Sequence, residues 1–328
     1  MRIAVDVMGG DHAPQEILAG AKEALAASDK LELMLAGDLE AVLNYWPAAK
    51  SDPRIEIVHC NEVIGMNEHP AMAYRKKKDA SITVASRLVR DGEAQAVVSA
   101  GSTGAQMVAA LFEIGRMEGV ARPAIASCIP TLKGPRVILD IGANSDSLPE
   151  NLRQFSWLGK IYCETALGIE NPGVYLLSNG AEAEKGDELT QKAHSLLLEE
   201  EGLRFCGNIE GRDLFNGVAD VIVTDGFSGN IALKTMEGTA EALFAMMKEA
   251  FLADLRSKLG AALLKPALRR VKQQLDYEEV GGAPLLGVRG LSVVCHGSSK
   301  AKAIRTAILK AGEWIDSGLL TKLAAHKF

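Results

Sequence analysis

The feature that most restricts this chain is an alternation of short β-branched runs with longer amphipathic stretches, with glycine-rich segments where the runs stop. Runs at 3–7, 31–35, 55–58, 96–99, 124–129, 137–140, 174–177, 203–207, 221–224 and 291–295 read as strands, and helical periodicity fills most of the intervals. Strands alternating with helices imply right-handed βαβ crossovers, which predicts an α/β fold with a mainly parallel sheet and helices on both faces. Ligands bind such sheets at the carboxyl ends of the strands. No linker, repeat or low-complexity tract divides the 328 residues, so the expectation is one domain over 1–328.

Composition narrows the class. Hydrophobic residues at 48% and charged residues at 24% fit a globular protein in water, and no segment approaches the ~18 consecutive apolar residues of a membrane span. The opening MRIAVDVMGGD is unlike a secretory signal. Cys60, Cys128, Cys163, Cys206 and Cys295 are scattered, odd in number and without a CxxC pair, so neither a disulfide framework nor a zinc or other metal site is expected. They read as buried thiols of a cytoplasmic protein. A net charge of −6 argues against a nucleic-acid partner.

Five glycine-rich stretches sit at strand ends: 8–11, 100–105, 140–144, 225–230 and 296–300. In the second, Gly101, Ser102, Thr103 and Gly104 lead into a helix from 106, and N–H groups with two hydroxyls there form an anion cradle. Ser102 or Thr103 could instead cap that helix. In the fourth, Asp225, Ser228, Asn230 and, one turn on, Lys234 combine an acid, a hydroxyl, an amide and a cation. A capped helix with a surface lysine is the plainer reading. His296 and Ser298, with Ser299, occupy a similar slot; Asp11 and His12 form a weaker one, and Asn144 closes the third stretch. Lys185 is the single cation of an acidic strand-to-helix loop and could reach an anion. GxGxxG after a strand, GxxxxGK[ST], HExxH and GxSxG are all missing, so a bound phosphate would be small or part of the reaction.

From 255 to 275 the chain carries Arg256, Lys258, Lys265, Arg269, Arg270 and Lys272 without an acidic residue. Leu252, Leu255, Leu259 and Leu263 share a helical face, with Leu264 beside it; Pro266 breaks the pattern and Leu268, Val271 and Leu275 restart it. This predicts a protruding basic amphipathic hairpin at about 245–285, irregular over 261–290, suited to an anionic membrane surface or an acidic partner. Packing in a dimer is the alternative. Arg75 to Lys78 add a second basic run.

The strings DVMGGDHAP, SAGSTGA, DIGAN, GNIEGRD, ADVIVTDGFSGNIALKTMEG and GGAPLLGVRG with HGSSKAKAI, in this order along the whole chain, closely resemble the bacterial phosphate acyltransferases of phospholipid synthesis, the PlsX family. The resemblance implies transfer of an acyl group from acyl carrier protein to inorganic phosphate, giving acyl phosphate for a membrane glycerol-3-phosphate acyltransferase. It also implies a homodimer, a fold similar to the isocitrate and isopropylmalate dehydrogenases and phosphotransacetylases, and peripheral membrane association through the hairpin. Two positions depart from the family pattern: Ser102 replaces a common Asn, and 145–148 reads Ser-Asp-Ser-Leu where Val-Asp-Cys-Lys is typical, losing a lysine.

For that chemistry the chain needs fixed donors and no cofactor beyond the pantetheine arm of the substrate. The expectation is that Ser102, Thr103 and Asn230 cradle phosphate while Lys185 or His296 stabilises the oxyanion or protonates the departing thiolate. A phosphotransacylase using short acyl-CoA and a non-catalytic lipid-binding protein at the membrane surface are the competing readings.

Overall fold

The computed structural model describes residues 1–275 and 281–328. Eleven strands form one sheet: β1 Arg2–Asp6, β2 Glu32–Gly37, β3 Ile55–His59, β4 Ala96–Ser99, β5 Ala124–Ile129, β6 Arg136–Leu139, β7 Val174–Ser178, β8 Phe205–Glu210, β9 Val221–Val223, β10 Ala283–Leu286 and β11 Leu291–Val294. Between them run helices α1 Gln15–Ala27, α2 Leu39–Tyr45, α3 Pro70–Lys76, α4 Ser81–Arg90, α5 Thr103–Ala109, α6 Pro149–Tyr162, α7 Glu188–Leu198, α8 Gly226–Leu252, α9 Leu255–Leu275, α10 Ala301–Asp316 and α11 Leu319–Ala325. The α/β, mainly parallel architecture is the expected one.

The strand order is β3-β2-β1-β4-β11-β10-β5-β6-β9-β7-β8. The first five strands are mutually parallel and form one lobe; β6, β9, β7 and β8 are mutually parallel and form the other. Between the lobes, β11 pairs with β10, β10 with β5 and β5 with β6, each antiparallel. Three reversals leave the strands of the two lobes pointing in opposite directions. Their carboxyl ends emerge at opposite edges of the sheet.

Side chains alternate across the strands because successive Cβ atoms point to opposite faces. Ile3 and Val5 enter one core cluster and Ala4 another, while Val137 and Leu139 face one way and Ile138 the other. Both faces are covered, α1, α6, α7 and α10 lying on one and α4, α5 and the start of α8 on the other, which explains why the strands read as continuous apolar runs.

Three expectations need correction. Strand β10 was missed: APLL is four residues long, begins just after Gly281-Gly282 and contains Pro284, all of which hide it from a pattern search. The hairpin exists but is built differently. Its turn is Ala253-Asp254, its first arm is the 27-residue α8 starting at the 225–230 loop, and α9 continues through Pro266. A proline removes one helical hydrogen bond, and an exposed helix backed by a neighbour absorbs that loss. The expected hairpin span 276–280 lies outside the described residues, and 283–286 belongs to β10.

The thiols are the third. Cys60, Cys163 and Cys295 are buried, and burial pushes each up to about 12, but Cys206 is exposed and Cys128 only partly covered. A maleimide reagent at pH 8 is therefore expected to label Cys206 quickly and to leave Cys60, Cys163 and Cys295 unmodified until the chain unfolds, as read by mass spectrometry of the peptides.

Candidate active site

On the first lobe, the loops after β1, β4 and β11 meet. The Asp11 N–H donates to the Gly297 carbonyl at 2.8 Å, and Gly10 lies against both Ala100 and Gly297. Beneath them is Asp6, 2% exposed, the last residue of β1. Ser99, the last residue of β4, donates its hydroxyl to Asp6 Oδ2 at 2.6 Å and accepts the Gly101 N–H at 3.0 Å, so one carboxylate fixes where the 100–105 loop begins. Only glycine fits above it: a Cβ on Gly9 would stand 2.4 Å from Asp6 Oδ2 and 2.9 Å from the Gly101 nitrogen.

This geometry refines the cradle. Helix α5 starts at Thr103, three residues earlier than expected, and Ser102 caps it by accepting the Ala105 N–H at 3.4 Å. The Gly101 N–H is already used, so the donors left for an anion are the N–H groups of the first turn of α5 and the hydroxyls of Ser102 and Thr103. On the neighbouring loop, His296 Nδ1 and Ser298 Oγ are 2.7 Å apart, and the Ser298 N–H points at the same ring nitrogen at 3.3 Å. A nitrogen that accepts from an N–H carries no proton, so this contact favours an imidazole protonated on Nε2.

Asp6 Oδ1 has no hydrogen-bond partner among the described residues. Burial pushes this carboxyl up, opposed by hydrogen bonds from side chains, Ser99 among them, and from the loop N–H groups of Met8 and Gly9. Its proton is thus held in the folded chain to a higher pH than in the unfolded one. Stability contributed this way is present below the ordinary carboxylate pKa and is lost as pH rises through the raised one. Asp6→Asn cannot ionise, so it is expected to be least stable relative to wild type in acid and to close that gap as pH rises, as read by urea midpoints at pH 5 and pH 8.

On the second lobe, Asp140 organises the loops after β6 and β9. It is fully buried, and its two oxygens accept the N–H groups of Ile125, Gly142, Ala143 and Asn144 and the Asn144 amide at 2.8–3.1 Å. Burial raises its pKa, but every partner donates, and a proton on this carboxyl would face another hydrogen. Gly229 turns the first coil of α8 over the Asp140 carbonyl so closely that a Cβ would stand 1.9 Å from that oxygen.

Several candidates on this lobe have local tasks. Asn144 is buried and holds Asp140 and the Pro123 carbonyl. Asp225 caps α8 by accepting the Ser228 N–H at 2.9 Å, and Lys234 pairs with Glu237 at 2.7 Å. These two contacts are those of a capped helix with a surface lysine. Asn230 and the Ser228 side chain remain exposed, with Asn230 Nδ2 beside Gly142. At the departing position Leu148 is 62% exposed and begins α6.

Lys185 is exposed on the loop between β7 and α7. Its N–H and the Asn208 amide both donate to the Glu182 carbonyl, at 3.1 and 2.8 Å, and Asn179 accepts the Gly186 N–H at 2.9 Å. Under this turn Asn208 Oδ1 and Ser178 Oγ are buried without partners among the described residues. Ser102, Thr103, His296 and Ser298 therefore belong to one loop cluster, and Asn230 and Lys185 to the other lobe. The residues expected to form one cradle, Ser102, Thr103 and Asn230, are thus contributed by loops of both lobes.

With this geometry in view, comparison with known proteins is decisive. Residues 1–322 match the model of a family described as "Fatty acid synthesis protein". A phosphate acyltransferase of Heliobacterium modesticaldum is 52% identical over 99% of this chain and 97% of its own, and one of Bacillus cereus is 46% identical over 99% and 98%. The chain belongs to this family of phosphate acyltransferases. It is an acyltransferase, as the resemblance implied. Solved structures show how widely the fold is shared. A Streptococcus pyogenes phosphotransacetylase superposes with a TM-score of 0.61 at 18% identity, covering 96% of this chain and 94% of that one. A Klebsiella pneumoniae 4-hydroxythreonine-4-phosphate dehydrogenase does so at 0.55 and 13%, covering 95% and 98%. Family membership makes the strand-end clusters candidate holders of phosphate and an acyl donor.

Proposed function

We propose that the enzyme transfers a fatty acyl group from acyl carrier protein to inorganic phosphate, releasing acyl phosphate and free carrier protein for phospholipid synthesis. The observation that carries this reading is the first-lobe cluster, where three interlocked loops present a helix start, two hydroxyls and an imidazole, in a chain of this family. A phosphate oxygen attacks the thioester carbonyl, the C–S bond breaks, and the thiolate leaves as the carrier thiol after taking up one proton. Phosphate at neutral pH is already an anionic nucleophile, so the protein's task is positioning and stabilising the oxyanion.

In this reading Ser102, Thr103 and the first turn of α5 hold phosphate, and His296 with Ser298 faces it from the adjoining loop. Lys185 and Asn230 provide a cation and an amide from the second lobe. Hydroxylamine trapping of acyl phosphate, with acyl carrier protein and acyl-CoA thioesters as parallel donors, tests the assignment. Product from the carrier-protein donor supports it, and product from acyl-CoA alone transfers it to the phosphotransacylase reading.

The proposal includes a homodimer and contact with an anionic membrane, where a glycerol-3-phosphate acyltransferase takes the product. No helix of the described residues is long and apolar enough to cross a membrane. Surface contact is supported instead by α9, where Leu255, Leu259, Leu263 and Leu264 are exposed alongside Arg256, Lys258, Lys265 and Arg269. Each inserted leucine contributes up to about 2 kcal/mol. Leu259→Glu with Leu263→Glu is expected to lower co-sedimentation with anionic vesicles by about tenfold or more; unchanged sedimentation would remove α9 from the contact.

A further inference from the structure

The first-lobe cluster is roofed by the segment between β3 and α3, and this segment has a marked chemistry. Met66 reaches over the β11 loop, its Cε 2.7 Å from where a Cβ on Gly297 would stand. Four residues later the ring of Pro70 lies 2.6 Å from the corresponding point on Gly104. The segment thus spans the His296 loop and the Ser102 loop, and α3 projects directly from it. This helix ends at Arg75 and Lys76, and Lys77 and Lys78 follow, making four consecutive cations on a chain of net charge −6.

These cations are not all consumed locally. Lys77 bonds to Glu68 at 2.6 Å, and Lys78 lies 4.2 Å above the Tyr74 ring, which stacks on Phe112. Arg75 and Lys76 are exposed and make no ion pair among the described residues. Met72, one turn earlier on α3, is 55% exposed, and Met66 in the roof segment is 47% exposed. Exposed methionines together with unpaired cations suit an adaptable contact with an acidic surface.

We propose that α3, through Arg75, Lys76 and Met72, with the exposed Met66 of the roof segment, is the docking surface on which an acidic carrier protein seats to deliver its thioester to the first-lobe loops. The inference rests on the proposed carrier-protein reaction. Its physical content is that charge recruits and orients the donor protein, while the transferred atoms meet loops outside α3. Removing the charge should affect the use of the donor protein without affecting the chemistry.

The test compares wild type with Arg75→Glu/Lys76→Glu, after circular dichroism has shown that both are folded. Steady-state kinetics are measured with acyl carrier protein and with acyl-pantetheine, and anisotropy of labelled carrier protein reads binding apart from turnover. The expected result is about a tenfold rise in KM and in Kd for the carrier protein, with a weaker dependence on salt, and unchanged constants for acyl-pantetheine and phosphate. An unchanged carrier-protein KM and Kd would overturn the docking surface, as would equal losses with both donors. A donor-specific KM rise in Lys258→Glu/Arg269→Glu in place of the α3 variant would move docking to the hairpin and overturn it too. Failure of wild type to use carrier protein at all would refute the proposed reaction itself, a result distinguishable from failure of the α3 surface alone.

Discussion

Asp140→Asn is expected to lower the unfolding free energy by about 3 kcal/mol or more, although the exchange is nearly isosteric. The carboxylate accepts four backbone N–H groups and one side-chain amide, and it joins β5 to the 140–144 loop, with Gly226 at the start of α8 lying against its Oδ2. An asparagine must turn an NH2 toward at least one of these donors. Each buried N–H left unpaired costs about 1–3 kcal/mol, and the lost charge weakens the remainder. Urea unfolding followed by circular dichroism measures the effect. A midpoint equal to wild type would show that Asp140 is not the organiser described. The contrast with Asp6→Asn is informative, because Asp6 has an oxygen without a partner among the described residues.

The second large effect concerns chemistry. Lys185→Ala should reduce turnover about a hundredfold or more, the usual consequence of losing one donor to a developing oxyanion. The side chain is exposed, and its loop is held by the Glu182 carbonyl and Asn179, so truncating it removes a cation without disturbing the fold. Retained thermal stability with a fall in kcat is the expected pattern. His296→Ala is the companion measurement: wild-type rates in both variants would defeat the assignment of oxyanion stabilisation or thiolate protonation to these two residues.

Much of this architecture can be read directly from the chain. Apolar runs and glycine-rich ends located ten strands, and the five glycine stretches do stand at carboxyl ends, because both faces of the sheet are buried and each crossover must begin with a tight turn. What pattern could not supply is direction. Whether β10 exists decides if the two lobes run parallel or opposed, and a four-residue strand with a proline carries almost no periodic signal. Ser102 and Asn230 accordingly stand on loops of different lobes.

The buried polar groups that hold the loops give a weak signal for a related reason. Asp6, Ser99 and Ser178 are the terminal residues of otherwise apolar strands, and Asp140 immediately follows one. A polar residue closing such a run is the signal that could have found them. Conversely, Asp225 and Lys234 looked chemical because capping and i,i+3 pairing use the same residue types as a binding site.

In the proposed reaction phosphate itself is the nucleophile. This is tested most directly by incubating the enzyme with acyl carrier protein, with and without phosphate, and counting freed carrier thiol by mass spectrometry against acyl phosphate trapped with hydroxylamine. The account predicts one thiol per acyl phosphate and no release when phosphate is omitted. Thiol release without phosphate, or acyl loss with no trapped acyl phosphate, would show that water is the acceptor and would contradict it.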